Sequence, residues 1–303
     1  MNMLLAAAIL AAQGEGDNAM TIDAPIPVVI STDCGTDIDD AWTVAYAAVS
    51  PAIDLLGCIG NHAPNGISGQ VARDNVVEVL ADVLGMEEHP PVYAGADGPL
   101  PDPSTPLETD GVSFLVEVSR SFTSTSRLTV LVIGSHTDLA SAILVDPGIV
   151  DRIRVVMMGF ESWPGGGDGW NVKNDVPAAR IVLESGVPLT VGPADVCIRR
   201  LSFTTESCRE FIGDSGTAGE WLAEGFEAWP HRLDGDPPVW PIWDNIVIAH
   251  ILGLTRTIET HRPRLLDDLT FDHSDPSGQL TWVVDLDGDA MWHDFRACVE
   301  EAQ

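Results

Sequence analysis

Short apolar runs alternate with stretches of helical periodicity along the first two thirds of the chain. The β-branched run at 27–32 predicts a buried strand, and the stretch at 40–49 carries its apolar residues at helical spacing. Further strands are predicted at 53–59, 128–133, 153–158 and 187–191, and further helices at 66–84, 111–122, 137–144 and 175–185. This alternation is typical of a mostly parallel sheet with helices on both faces, so we predict an α/β fold with a Rossmann-like core.

Beyond residue 192 the pattern becomes mainly helical. Extra C-terminal helices are predicted at 204–212, 219–228 and 243–252, and strands near 269–272 and 280–284 predict a small hairpin across Pro276-Ser-Gly278. No long linker interrupts the chain, which favours one domain over 25–303. Residues 1–24 are interpreted as an extension, either disordered or a weak signal-like segment, and Met20 is a plausible alternative start.

The charge balance excludes some partners. The 303 residues include 46 acidic and 15 basic ones, giving a net charge of −31, and Lys173 is the single lysine. Such a surface repels nucleic acid and anionic membranes. It suits a salt-rich cytoplasm, as in a halophile, although an acidic proteome that uses arginine would give the same composition. The longest apolar stretch, 4–12, is too short to span a bilayer.

Five cysteines occur without a C-x-x-C pair, which predicts reduced thiols and a cytoplasmic location.

Four carboxylates follow the first predicted strand, at Asp33, Asp37, Asp39 and Asp40. So dense a cluster needs a cation or much water, and oxygen ligands favour calcium or magnesium. Helix capping and surface charge in an Asp-rich protein are the alternative. A phosphatase loop of the Asp-x-Asp-x-Thr type is disfavoured, because Ser31 stands at the nucleophile position and Gly35 at that of the threonine.

Polar residues follow the other predicted strands as well. Asn61 follows the second strand, the segment 134–138 follows the strand at 128–133, and a glycine-rich loop at 164–168 leads to Trp170-Asn171. Ligands of open α/β sheets gather at the carboxyl ends of strands, so these residues are expected to share one site.

These segments together resemble the inosine-uridine-preferring nucleoside hydrolase family, over roughly 27–253. The family's opening Asp-Thr-Asp-x-Gly-x-(Asp-x-)Asp-Asp-Ala stretch is similar to Ser31-Thr-Asp-Cys-Gly-Thr-Asp-Ile-Asp-Asp-Ala41. Six further segments match in the family's order, at 60–61, 91–96, 134–140, 158–160, 169–179 and 241–245. The resemblance implies a homodimer or homotetramer that hydrolyses the N-glycosidic bond of ribonucleosides in purine or pyrimidine salvage.

The resemblance also implies roles for particular residues. Calcium would be bound by the side chains of Asp33, Asp40 and Asp244 and by the backbone carbonyl of Thr137. Asp33 would be the general base toward a water activated by the cation. The ribose would contact Asp39, Asn61, Asn171 and, more weakly, Met158. Ordinary structural roles remain open: turn residues for Asn61 and Asn171, helix caps for Thr137 and Asp244, and core packing for Met158.

Three departures from the family pattern affect the expected site. Ser31 replaces the first aspartate. Gly169 replaces a glutamate that touches ribose, although Asp168 could take its place. Trp243 replaces a histidine that protonates the leaving base in many members; a tryptophan can instead stack on the base.

His231 is therefore the candidate catalytic acid. Two alternatives stay open: a calcium-holding binding protein that has lost the chemistry, and a hydrolase of another glycosyl linkage.

Overall fold

An eight-stranded sheet forms the centre of the computed structural model, which describes residues 24–167 and 169–302. In chain order the strands are β1 Ile26–Thr32, β2 Ile53–Gly60, β3 Val92–Ala94, β4 Leu128–Val132, β5 Ile153–Met158, β6 Leu189–Gly192, β7 Ser202–Phe203, β8 Trp240–Pro241, β9 Thr255–His261, β10 Arg264–Leu265, β11 Phe271–Asp272 and β12 Gln279–Leu286. The proposed extension at 1–24 lies, but for its last residue, outside the described residues, and so does Asp168.

Helices cover both faces of this sheet. They are α1 Asp39–Val49, α2 Gly69–Val77, α3 Asp110–Ser119, α4 Thr137–Val145, α5 Trp170–Lys173, α6 Val176–Glu184, α7 Ala194–Arg200, α8 Thr205–Ile212, α9 Gly216–Ala228, α10 Asn245–Ile251 and α11 Gly288–Glu301. The predicted helix at 66–84 corresponds to α2 followed by a wider π-helical turn at Glu78–Val83. A single 3₁₀ turn spans Pro147–Asp151.

The strand order is β3-β2-β1-β4-β5-β6-β12-β9. All neighbouring pairs are parallel except the last, in which β9 runs antiparallel to β12 at the sheet edge. The predicted α/β fold with a mostly parallel sheet is therefore confirmed. Because β1 and β4 are adjacent and parallel, the segments that follow them leave the sheet side by side.

The two faces of the sheet bury separate apolar layers. Strand β1 shows why Val28, Val29 and Ile30 are apolar in succession: Val28 and Ile30 face one layer, whereas Val29 faces the other. One layer contains Trp42 of α1, whose ring lies 5.5 Å from that of Phe295 of α11. In the other, the ring of Phe160 lies 4.6 Å from that of Phe271. A rigid, doubly covered sheet thus holds the strand ends in place.

The predicted C-terminal hairpin is wrong in its pairing. Strand β11 pairs with β10, and β12 pairs with β9 and β6, so the segments at 269–272 and 280–284 are not partners. Sequence reasoning missed β9 because most of its residues are exposed at the sheet edge and lack the buried alternation. It also missed α11, whose buried residues nevertheless recur at helical spacing: Met291, Trp292, Phe295, Cys298 and Val299.

Within 24–167 and 169–302, none of the helices has the length and apolar character needed to cross a membrane.

Candidate active site and metal centre

A cavity of about 490 Å³ opens at the carboxyl ends of the central strands. Its lining divides into two parts. One part is acidic and consists of Asp33, Asp37, Asp39, Asp40 and Asp244; the other is mainly aromatic and consists of Trp170, Trp229, His231, Trp240 and Trp243. Thr36, Asn65, Ile133, Met158, Gly169, Asn171 and Ala194 complete the wall. The cavity brings together most of the residues that the sequence singled out.

Three buried aspartates converge in the acidic part. One carboxylate oxygen from each of Asp39, Asp40 and Asp244 lies within 4.8 Å of the other two. The first two belong to the first turn of α1, where the helix dipole favours negative charge, and Asp244 directly precedes α10. The side chain of Asp244 makes no capping hydrogen bond to α10, so helix capping does not account for it.

A neutral hydrogen bond holds the two helices together beside this group. Thr43 Oγ1 of α1 donates to Asn245 Oδ1 of α10 at 2.8 Å, across 202 residues of sequence. Thr32 Oγ1, at the end of β1, donates to Asp40 Oδ1. The positions of Asp40 and Asp244 are thus fixed by contacts with other residues.

Asp33 lies next to this group at the end of β1. It is only 2% exposed, and its Oδ2 has no hydrogen-bond partner. Gly134, just after β4, lies close to Asp33 and Asn61. A Cβ at this position would lie 2.9 Å from Asp33 Oδ1 and 2.3 Å from Asn61 Oδ1. Only glycine allows this approach, which places the Asp33 carboxyl against the segment that follows β4.

Burial dominates the electrostatics of the cluster. Removal from water raises the pKa of Asp33 to about 7 and that of Asp37 to about 6. Burial, reinforced by the neighbouring carboxylates, also raises the pKa of Asp39, Asp40 and Asp244 well above the usual range. The unpartnered Asp33 Oδ2 and the all-oxygen set fit a hard divalent cation, which would stabilise the ionised forms.

The raised pKa values of these buried carboxyls predict how the stability of the metal-free protein depends on pH. Without divalent cations, the free energy of unfolding should fall as pH rises from about 4 to about 7, because the folded chain retains protons on Asp33 and Asp37 that the unfolded chain releases. Each unit of pKa shift corresponds to about 1.4 kcal/mol. Thermal denaturation at several pH values, with chelator or with calcium, measures the effect. The calcium-loaded protein has the same surface and serves as the control. If stability depends on pH in the same way with chelator and with calcium, the expectation is contradicted.

The wall beside the acidic part contains Asn171 and Met158. Asn171 begins the short helix α5 with Trp170, and its Nδ2 donates to Ile133 O at 2.9 Å and to Met158 O at 3.4 Å. Its amide is therefore fixed between the ends of β4 and β5. Met158, at 9% exposed, lines the cavity at the end of β5.

Two predicted site residues lie behind the wall. Asn61 is fully buried, and its Nδ2 donates to Ser31 Oγ at 2.8 Å and to Ser135 O at 3.2 Å; its Oδ1 has no partner. Thr137 Oγ1 donates to Asp175 Oδ2 at 2.7 Å and also contacts His62 Nε2 at 2.9 Å. Neither side chain lines the cavity, so a ribose contact by Asn61 would have to involve Oδ1.

The departures from the family pattern have local explanations. Ser31 still accepts a hydrogen bond from Asn61, so a hydroxyl serves where the family has a carboxylate. A Cβ on Gly169 would lie 2.5 Å from the backbone nitrogen of Phe160, so no side chain fits at this position without a backbone shift. The glutamate of the family pattern is therefore sterically excluded here.

Four aromatic rings form the outer part of the cavity, which we call the aromatic rim: Trp229, His231, Trp240 and Trp243. The ring centroids of Trp229 and His231 lie 5.0 Å apart, and those of Trp240 and Trp243 lie 5.6 Å apart at 87°. Trp240 Nε1 donates to both carboxylate oxygens of Asp37 at 3.1 Å. Asp37, which had no predicted task, thus orients the rim.

Sequence reasoning assigned no role to four lining residues with large side chains or polar groups: Thr36, Asn65, Trp229 and Trp240. A signal was present for the tryptophans, since Trp229-Pro-His231 and Trp240-Pro-Ile-Trp243 flank a Pro- and Gly-rich loop. Asn65 lies within the turn at 64–66; its Asn-Gly pair signals the turn but does not indicate that the side chain faces the cavity.

Comparison with known proteins agrees with this geometry. The inosine-uridine preferring nucleoside hydrolase family model matches residues 28–293. An uncharacterized protein of Schizosaccharomyces pombe is 26% identical over 244 residues, covering 69% of this chain and 76% of that protein. The pyrimidine-specific ribonucleoside hydrolase RihB of Escherichia coli (strain SE11) is 29% identical over 222 residues, covering 64% and 68%.

Solved structures share the fold. A plant nucleoside hydrolase superposes with a TM-score of 0.71 at 18% identity, covering 91% of this chain and 99% of the other. A purine-preferring ribonucleoside hydrolase from Gardnerella vaginalis gives 0.72 at 20% identity, covering 91% and 98%.

Proposed function

Because this chain belongs to the inosine-uridine preferring nucleoside hydrolase family, we propose that it hydrolyses the N-glycosidic bond of ribonucleosides to ribose and free base, in a calcium-dependent reaction. The observation that carries the proposal is the buried, unpartnered Asp33 carboxyl beside the convergent Asp39, Asp40 and Asp244. Surface charge would place these groups in water, whereas all four are buried, and Asp244 makes no capping hydrogen bond.

The cation would be held by Asp40, Asp244, Asp33 and the backbone carbonyl of Thr137. The mutual proximity of Asp40 and Asp244 supports this set, and Asp39 is a further acidic neighbour within the same group. Bound calcium supplies positive charge that lowers the pKa of water and offsets the buried carboxylates.

Asp33 acts as the general base. Its carboxylate accepts a proton from the water that attacks C1′ of the ribose. A general base must be ionised to accept a proton, and bound calcium would favour the ionised form of this buried carboxyl. The free Oδ2 of Asp33 provides the accepting atom.

The ribose is oriented by Asp39 and Asn171, with Met158 against its ring and Asn61 contributing through Oδ1. Asp39 and Asn171 lie on different walls of the cavity, on α1 and α5. Hydroxyl groups held from two sides restrict the sugar to the shape in which C1′ becomes oxocarbenium-like, a requirement shared with glycosidases. Asp168, outside the described residues, remains a predicted ribose contact.

The leaving base is bound at the aromatic rim. Trp243 offers a stacking surface, and His231 lines the cavity as the candidate acid. Location in the cytoplasm, a role in salvage and assembly into a homodimer or homotetramer stay predictions.

Removal of the cation tests the proposal. Wild-type protein should release reducing sugar from at least one of inosine, uridine and nicotinamide riboside, and chelation should abolish this release until calcium is restored. Heat-inactivated protein with calcium is the control for non-enzymatic hydrolysis. If the protein binds calcium but releases ribose from none of these compounds, the alternative of a calcium-holding binding protein is correct. Release that is indifferent to chelation would contradict the metal centre.

A further inference from the structure

The rings of the aromatic rim are inclined to one another like the walls of an open box and are not stacked face to face. Trp240 meets His231 at 37°, Trp229 at 50° and Trp243 at 87°, with centroid separations of 6.2, 6.4 and 5.6 Å. Rings tilted in this way do not cover one another's faces, so the faces remain available to a ligand. Boxes of tryptophan faces are the arrangement by which proteins bind organic cations.

The acidic and basic side chains that line this cavity, His231 apart, all carry the same sign. Five aspartates line the same cavity, and no lysine or arginine does so among the lining residues. Asp37 is the nearest of them to the box, because its carboxylate is hydrogen-bonded to Trp240 Nε1. Two basic side chains nearby contact other aromatic rings. Lys173 Nζ lies over the ring of Trp170, and the guanidinium of Arg232 lies over the ring of Phe226. The net charge of −31 adds a long-range attraction for cations.

The leaving side of the cavity has few proton donors. Trp240 Nε1 is already bound to Asp37, and an indole does not release its proton to a leaving group. His231 is the one rim side chain that can release a proton to a leaving base, and it is exposed to solvent. A neutral purine or pyrimidine departs readily only when it is protonated, whereas a base that is already cationic departs as a neutral molecule.

From these three features we propose that the preferred substrate is an N-riboside whose base carries a positive charge, of the N-ribosylpyridinium class. This inference rests on the proposed function and defines its substrate. In the reaction, water attacks C1′ and the C1′–N bond breaks with its electron pair moving to the ring nitrogen, which neutralises the pyridinium. The water proton passes to Asp33 and then to solvent. The products are ribose, a neutral pyridine base and one proton.

Binding and turnover test the proposal separately. Full-length, calcium-loaded protein is titrated with N-methylnicotinamide, a pyridinium cation, and with nicotinamide, its neutral counterpart of nearly the same shape. We expect the cation to bind about tenfold more tightly. Ribose release is then compared for nicotinamide riboside, uridine and inosine, and kcat/KM should be highest for nicotinamide riboside.

Variants separate binding of the charge from the intrinsic reactivity of the pyridinium bond. Asp37→Asn keeps the shape of the side chain and should reduce the preference for N-methylnicotinamide over nicotinamide several-fold, and Trp240→Leu should abolish it. Asp54→Asn removes one exposed charge at the amino end of β2, the opposite edge of the sheet, and should leave the preference as it is. Thermal denaturation of each variant verifies that it folds.

The outcomes distinguish this inference from the function on which it rests. Equal or tighter binding of nicotinamide, or an unchanged preference in Asp37→Asn and Trp240→Leu, overturns the cationic substrate. Efficient ribose release from uridine or inosine with poor release from nicotinamide riboside also overturns it, yet leaves the nucleoside hydrolase function intact. No release from any compound overturns the proposed function itself.

Discussion

Replacement of Asp33 by asparagine is expected to lower kcat by about 10³-fold, because the amide preserves the shape of the side chain but cannot accept the proton of the attacking water. The structure makes this substitution informative. Asp33 is buried at the end of β1, and its Oδ2 makes no hydrogen bond. Initial rates of ribose release at saturating substrate, with calcium, give the measurement.

Excess calcium should not restore the Asp33→Asn enzyme, since the missing group is the base. The lost carboxylate charge should also weaken calcium binding, so kcat is compared at saturating calcium, where the missing base alone lowers turnover. Asp54→Asn is the matched control, because it makes the same chemical change at an exposed site distant from the cavity. If Asp33→Asn turns over substrate at the wild-type rate, Asp33 is not the general base.

Asp244→Asn should affect the same activity by a different route. Asp244 is 3% exposed, belongs to the group of three carboxylates and makes no capping hydrogen bond, so its charge has no evident purpose apart from the metal centre. Neutralising it should weaken calcium binding by more than about 100-fold, beyond what is typical for groups that only support ligands. Turnover at micromolar calcium should be lost.

In contrast to Asp33→Asn, the Asp244→Asn enzyme should recover part of its turnover at high calcium concentration. Calcium titrations followed by calorimetry and by ribose release provide the two readouts. If Asp244→Asn binds calcium as the wild type does, the metal centre does not include Asp244 and the ligand set must be revised.

The acidic half of the site could be predicted because it depends on local sequence. Asp33, Asp39 and Asp40 follow a strand whose apolar residues reveal its burial, and the topology of parallel sheets brings such strand ends together. The division of tasks within the cluster was harder to predict. Asp39, expected at the ribose, lies within the same 4.8 Å group as Asp40 and Asp244, a result of helix geometry that spacing alone does not give.

The aromatic half depends on a long connection and was only partly predicted: His231 and Trp243 were named from the sequence, whereas Trp229 and Trp240 were not. Trp229 and Trp240 bracket an irregular loop whose path is set by tertiary packing, so no periodicity indicates which side chains face the cavity. Asn61 and Thr137 occupy the expected strand ends, yet the close approach at Gly134 and the hydrogen bond to Asp175 accompany side chains that do not line the cavity. A role for Thr137 through its backbone carbonyl and for Asn61 through Oδ1 stays a prediction.

Edge elements were mispredicted for a related reason. The pairing of β12 with β9 joins segments on either side of the small β10–β11 hairpin, and an exposed edge strand lacks the apolar alternation that reveals buried ones.

The hydrogen bond between Thr43 and Asn245 has a consequence for how the metal centre responds to its ion. It joins α1 to α10 one turn beyond Asp40 and directly beside Asp244, and both of its partners are uncharged. In the metal-free protein this hydrogen bond therefore opposes the separation of α1 and α10 that repulsion between their carboxylates favours. Calcium would bind between helices that are already joined, without having to draw two distant parts of the chain together, which lowers the free-energy cost of binding.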